Sequence, residues 1–195
     1  MFKTLKDFDF KNKRALIRVD FNVSINEYSD DLIKLKNTPN DFRLKAVIPT
    51  INYLIENKAK IILISHLGRP SSFFSFNKER KDGFSASDLS VVSQFSHKNK
   101  ILEQEFKKYS LSLVAKRLEV LLNKKVRFLD DCIGEKVIKE IEKMKPGEIV
   151  LLENLRFYKE EGENNKEFAK EISKLGDIFI QEAFASCHRN DASIF

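Results

Sequence analysis

Five short stretches of this sequence carry residues able to hold an anion or orient a hydroxyl. They are Asp20-Phe21-Asn22, Ser65-His66-Leu67-Gly68-Arg69-Pro70, Asp130-Asp131, Glu153-Asn154-Leu155-Arg156-Phe157, and Gln181-Glu182-Ala183-Phe184 leading to His188-Arg189. Three of them deliver an arginine, and Arg43 opens an amphipathic segment as a fourth. The planar guanidinium fork gives paired hydrogen bonds to a phosphate or carboxylate. Arginines gathered at one rim repel each other unless an anion sits among them. His66 can donate a further bond, or carry charge where an anion raises its pKa. Asp20 and Asn22 can orient hydroxyls or hold an arginine in place. Gly68 permits close backbone approach.

Taken singly, each residue has an ordinary explanation. An arginine after a strand is usually surface, a lone histidine usually satisfies a backbone partner, and Asp20 with Asn22 can form a turn. Recurrence in equivalent places carries the argument. Other chemistries have less support. Cys187 beside His188 lacks a third group to orient a dyad. Asp130-Asp131 has no further metal ligand at a telling spacing. No GxxxxGK[ST] or GxGxxG phosphate loop is present, so nothing reads as a nucleotide site.

The elements that must position these residues alternate short apolar runs with amphipathic segments. Strands are expected at 15–19, 60–64, 126–129, 149–152 and 178–180. Helical spacing runs through Leu44, Val47, Ile48, Ile51, Leu54 and Ile55, with Asp41 as N-cap and Pro49 inside. It returns in Leu111, Val114, Ala115, Leu118, Leu121 and Leu122, in 134–143, and in Phe168, Ala169, Ile172 and Leu175. Pro70 to Ser110 has no clear period and reads as an insertion, with a helical tendency around Leu89 to Phe95. Strand alternating with helix means right-handed crossovers and a parallel sheet covered on both faces. The expected fold is therefore a single doubly wound α/β domain, a Rossmann-like three-layer sandwich. All five stretches follow strands, and the carboxyl edge of such a sheet is where ligands bind.

Composition agrees. The 195 residues are 42% hydrophobic, enough for a core, and contain no apolar run long enough to span a membrane. The amino terminus lacks a signal segment. Two distant cysteines make neither a disulfide framework nor a zinc site, so a reduced, cytoplasmic location is expected. The net charge of +6 is spread along helix-like stretches and interleaved with acids. Nucleic-acid binding is accordingly disfavoured.

These motifs together resemble phosphoglycerate kinase. Arg18-Val19-Asp20-Phe21-Asn22-Val23 is similar to that family's first signature, and Ser65-His66-Leu67-Gly68-Arg69-Pro70 to its second. Asp130-Asp131-Cys132-Ile133-Gly134, Leu151-Leu152-Glu153-Asn154-Leu155-Arg156-Phe157 and Ala183-Phe184 with His188-Arg189 follow in the family's order. The resemblance nearly covers the chain. It implies the amino-terminal, phosphoglycerate-binding domain of a two-domain glycolytic kinase. That enzyme moves a phosphoryl group between 1,3-bisphosphoglycerate and ADP. By resemblance, Asp20, the Phe21 backbone and Asn22 contact the glycerate. Arg43 stabilises the transferred phosphoryl group and is the catalytic candidate. His66, Leu67, Gly68, Arg69, Arg156 and Arg189 bind the remaining groups.

Mg-ATP or Mg-ADP would sit on the family's carboxyl-terminal domain, so no cofactor or metal is expected on this chain, and no kinase turnover by it alone. The implied partners are 3-phosphoglycerate or 1,3-bisphosphoglycerate and that second domain. No membrane is expected, and a monomer is. Two departures stand out: the family's Asn-Asp before Ala-Phe is Gln181-Glu182 here, and its Ala-His after His-Arg is Asn190-Asp191. Asp191 places a negative charge near the Arg189 anion site. The rival readings are an anion-binding or regulatory module derived from the domain and, ranked last, a nucleic-acid binder.

Overall fold

The computed structural model describes residues 3–24, 41–70 and 106–194. The stretch 71–105, which holds most of the expected insertion and its helical tendency, lies outside the described residues. Among the described residues, five strands form one sheet: β1 (Arg14–Arg18), β2 (Lys60–Ile64), β3 (Val126–Phe128), β4 (Ile149–Leu151) and β5 (Ile178–Gln181). Their order is β3-β4-β2-β1-β5, and every pairing is parallel. The register sets Arg18 beside Ile64 on one side and Gln181 on the other, so β1, β2 and β5 end at one level.

The helices among the described residues include α1 (Phe42–Glu56), α2 (Ser112–Leu122), α3 (Glu135–Glu142), the short α4 (Lys159–Gly162) and α5 (Lys166–Ser173). A right-handed crossover puts its helix on one face when the chain steps one way across the sheet, and on the other face when it steps back. From β1 to β2 to β3 the chain steps one way, and α1 and α2 share one apolar layer with Ala15, Ile17, Ile61, Leu63, Ile149 and Leu151. From β3 to β4 to β5 it steps back, and α3 and α5 pack with Leu16, Ile62, Ile64 and Val150 on the opposite face. Strands buried on both faces read as the continuous apolar runs seen in the sequence. The expected three-layer α/β sandwich is the fold observed. Among the described residues, no helix is long and apolar enough to cross a membrane.

One expected cap is otherwise employed. Asp41 precedes α1 but makes no side-chain capping bond. Its fully buried carboxylate instead meets Arg117 of α2, also fully buried, and Oδ1 accepts from Nε at 2.8 Å. A buried cation without an acid is more costly than an uncapped helix end, so the long-range partner prevails. Pro49 lies inside α1 as anticipated.

Candidate functional site

Alternation along β1 sends Ala15, Ile17 and Val19 to the α1/α2 face and Leu16 to the other. Arg18 falls on the second face, where it is fully buried. Its Nε donates to Ser193 Oγ at 2.9 Å, Nη1 donates to Val19 O at 2.7 Å, and Nη2 lies 3.7 Å from Glu161. Glu161 is buried too, and its carboxylate accepts from the Ser193 hydroxyl at 2.6 Å and the Ser193 backbone N–H at 2.9 Å. Arg18 is thus the buried post on which the sheet edge is built. It carries no role in the sequence reading beyond its place in a motif. One signal was available: an arginine at an inward position of an otherwise apolar strand calls for a buried acid. Glu161, in the short helix α4, offered no comparable clue.

The third hydrogen bond of Arg18 reaches the site. Nη2 is 2.9 Å from His66 Nδ1. A guanidinium only donates, so Nδ1 accepts and the ring's proton is on Nε2. Burial, followed by the positive charges of Arg18, Arg156, Arg189 and Arg43, drives the His66 pKa down to about 2. The positive charges of all four arginines act on this one buried imidazole, and Arg18 touches it directly. The sequence reading left His66 either to donate a bond or to carry charge beside an anion; the ring's geometry here is that of the neutral form. In this structure the imidazole is neutral, because an imidazolium would have no acceptor for Arg18 and would sit among four cations. The unfolded ring protonates near 6.5 and the folded ring near 2, so this residue favours the fold above pH 6.5 and disfavours it progressively as pH falls. We expect the His66 ring resonances to stay constant between pH 5 and 8 in an NMR titration. A midpoint above 5 for His66 would contradict the buried, arginine-flanked setting described here.

The loop after β1 is tied to the loop after β2. Phe21 N–H donates to Ser65 Oγ at 2.9 Å, and Gly68 N–H donates to Asn22 Oδ1 at 2.8 Å. Arg43, exposed at the head of α1, pairs with Asp20, so Asp20 does hold an arginine in place. After β4, Asn154 is fully buried and acts as a clip: Oδ1 accepts from Leu67 N and Arg156 N at 3.0 Å each, and Nδ2 donates to Leu67 O at 2.8 Å. Glu153 beside it accepts from Leu111 N, Asn154 N and the Ser110 hydroxyl, and complete burial pushes its pKa up to about 7. Arg156 Nη1 donates to Gly68 O at 2.6 Å. Gly68 therefore receives Asn22 on its N–H and Arg156 on its carbonyl. Its φ of +60° is the left-handed region that favours glycine.

Asp20, Asn22, Arg43, His66, Gly68, Arg156 and Arg189 are therefore brought together at the carboxyl edge of the sheet. Leu67 is buried and supports the loop through its backbone. Arg69 follows Gly68 and is exposed. Cys187 is a free thiol whose Sγ lies 3.7 Å from Ala183 O. Asp130 pairs with Lys136, while Asp131 accepts from Tyr158 and the Cys132 N–H, so both aspartates are engaged structurally. The acids among the site residues, Asp20, Glu161 and Asp191, each face an arginine. That arrangement suits an anion and does not fit a Mg2+ ion.

The family model for phosphoglycerate kinase matches residues 5–195. A phosphoglycerate kinase of Aquifex aeolicus is 41% identical over 193 residues, covering 99% of this chain and 39% of that protein. One of Borrelia hermsii is 43% identical over 191 residues, covering 98% of this chain and again 39% of the relative. Among solved structures, the phosphoglycerate kinase of Pyrococcus horikoshii superposes with a TM-score of 0.70 at 30% identity, covering 99% of this chain and 39% of that one. The Coxiella burnetii enzyme gives 0.66 at 33% identity, covering 99% and 38%. The chain thus spans about two fifths of the length of the proteins it matches.

Proposed function

The chain belongs to the phosphoglycerate kinase family, and from that premise we propose that its arginine-lined sheet edge binds 3-phosphoglycerate or 1,3-bisphosphoglycerate for phosphoryl transfer. The nucleotide, as Mg-ADP or Mg-ATP, is a co-substrate carried by a carboxyl-terminal domain in the whole enzyme. The observation that supports this reading is the gathering of Arg43, Arg156 and Arg189 at the carboxyl edge, with Arg43 paired to Asp20, Arg156 bonded to Gly68 O, and Arg156 and Arg189 both facing Asp191. Asn22 and Asp20 lie where they can meet hydroxyl and carboxylate groups of a glycerate. His66 contributes a hydrogen-bond donor through Nε2 rather than a positive charge. Arg43 is exposed at the mouth and is the catalytic candidate, positioned by Asp20 to meet charge that develops on a phosphoryl oxygen. Phosphoryl transfer needs donor and acceptor in line, so this edge supplies one half of the geometry. A monomeric, cytoplasmic enzyme of glycolysis is the setting proposed with it.

Calorimetric titration of the chain with 3-phosphoglycerate tests the reading. One-to-one binding is expected. Arg156→Ala should weaken it by about ten- to a hundredfold, the effect of losing charge-assisted hydrogen bonds. Arg69→Ala, at the exposed rim, should weaken it less. Absence of binding by the folded chain and by a folded Asp191→Asn variant alike would refute the assignment.

A further inference from the structure

One acid lies inside the arginine cluster without a task in the substrate reading. Asp191 is buried, with 4% of its surface exposed. Its Oδ2 lies 3.2 Å from Arg189 Nε and 3.9 Å from Arg156 Nη2. Its Oδ1 accepts from Arg189 Nε only at the long distance of 3.5 Å. Asp191 Oδ2 and Arg156 Nη2 are both buried, and neither has a hydrogen-bond partner. The carboxylate thus shares the charge of two guanidiniums without closing a fork on either.

Its backbone, by contrast, is held. Ala192 N–H donates to Glu161 O at 2.8 Å, Ser193 N–H to Glu161 Oε2 at 2.9 Å, and Ile194 N–H to Asp191 O at 3.0 Å. The loop is anchored to the same Glu161 that faces buried Arg18. These bonds hold the loop, so the freedom left to Asp191 is mainly that of its side chain. The other two acids of the cluster are engaged differently. Asp20 makes a direct hydrogen bond with Arg43, and Glu161 is hydrogen-bonded by Ser193. Asp191 is the most loosely held of the three.

We propose that Asp191 is an internal competitor for the substrate's anionic group and a specificity-determining residue of this site. Its carboxylate seeks the same N–H groups of Arg156 and Arg189 that a phosphate or carboxylate of the ligand would take. The affinity of the site is then the affinity of those arginines for ligand less their attraction to Asp191. Rotation of one side chain opens the site, and Arg156 Nη2 then gains the partner it lacks. Ligands that present two or more negative charges displace Asp191. Singly charged anions, which offer no more charge than Asp191 itself, do not.

This inference rests on the proposed phosphoglycerate site. Its test is calorimetry with 3-phosphoglycerate and with acetate as a singly charged probe, on the wild-type chain and Asp191→Asn. The amide keeps the shape and removes the charge. Tighter binding of 3-phosphoglycerate, by about tenfold, is expected, together with detectable acetate binding only in the variant. Asp191→Ala, measured in parallel and checked by circular dichroism, covers the case in which the amide disturbs the loop. Unchanged or weaker 3-phosphoglycerate binding by folded variants would overturn the competitor role and mean that Asp191 orders the arginines instead. In that outcome wild-type binding leaves the proposed function standing. Failure of all folded forms to bind 3-phosphoglycerate overturns that function, and the competitor role with it. A silent wild type beside a binding Asp191→Asn supports both.

Discussion

Arg18→Ala is expected to lose about 3–5 kcal/mol of folding stability, the usual cost of breaking a buried ion pair by removing one partner. Small domains are stable by only about 5–15 kcal/mol, so this change alone can bring the chain close to unfolding at ambient temperature. The reason is what remains. Arg18 and Glu161 both have fully buried side chains. Without the guanidinium, Glu161 keeps the Ser193 bonds but loses the charge that opposes its desolvation. Val19 O loses a donor and His66 Nδ1 loses the bond that fixes its tautomer. Urea denaturation followed by circular dichroism reads the effect as a lower midpoint at unchanged slope. The double variant Arg18→Met/Glu161→Gln should recover part of the loss, since it removes both charges and fills the space. A loss below about 1 kcal/mol for Arg18→Ala would show that the pair is not the structural post described here.

Gly68→Ala should cripple ligand binding while leaving most of the fold intact. Two separable effects act at this position. At φ +60° a Cβ costs about 1–2 kcal/mol from backbone sterics alone. The added Cβ would also lie 2.3 Å from the Tyr109 ring, a distance that no real contact tolerates. Either the ring or the loop must move. The ring's residue is fixed through its carbonyl, which accepts from Asn154 Nδ2 at 3.0 Å. The loop, in turn, carries the Asn22 contact on the Gly68 N–H and the Arg156 contact on its carbonyl. Displacing it by an ångström releases both, and misplacement of that size commonly costs about a hundredfold in function. We therefore expect Gly68→Ala to weaken 3-phosphoglycerate binding by about a hundredfold, with a stability loss of about 1–3 kcal/mol. Gly68→Ala/Tyr109→Ala, which restores space but not backbone freedom, should regain part of the affinity. Equal binding by Gly68→Ala and wild type would remove Gly68 from the construction of the site.

Both variants probe a site whose members were legible to different degrees. Leu44, Val47, Ile51 and Leu54 are buried on α1 as their helical spacing demands, and the apolar run Ile61 to Ile64 is buried on both faces as a central parallel strand requires. Periodicity is a local property, so sequence suffices to read it. The same holds for the site's address. Asp20, His66 and Arg156 lie just past β1, β2 and β4 because the parallel sheet puts all strand ends on one edge.

What sequence determined by itself, then, was the order of strands and helices, the parallel sheet with helices on both faces, and the set of anion-binding candidates at its carboxyl edge. Tertiary structure alone decided which charges are buried and what they face. Asp41 reads as a helix cap but closes on Arg117, 76 residues away in the chain. Arg18 reads as one more motif residue but is bonded to Ser193, 175 residues on, in the loop that also carries Asp191. His66 reads as a hydrogen-bond donor, or a cation beside an anion, but whether it carries charge depends first on its burial and then on arginines from four separate segments. The physical reason is common to all three. Hydrophobic burial follows from each segment's own pattern, whereas the state of a charge follows from the dielectric and the partners that distant segments bring to it.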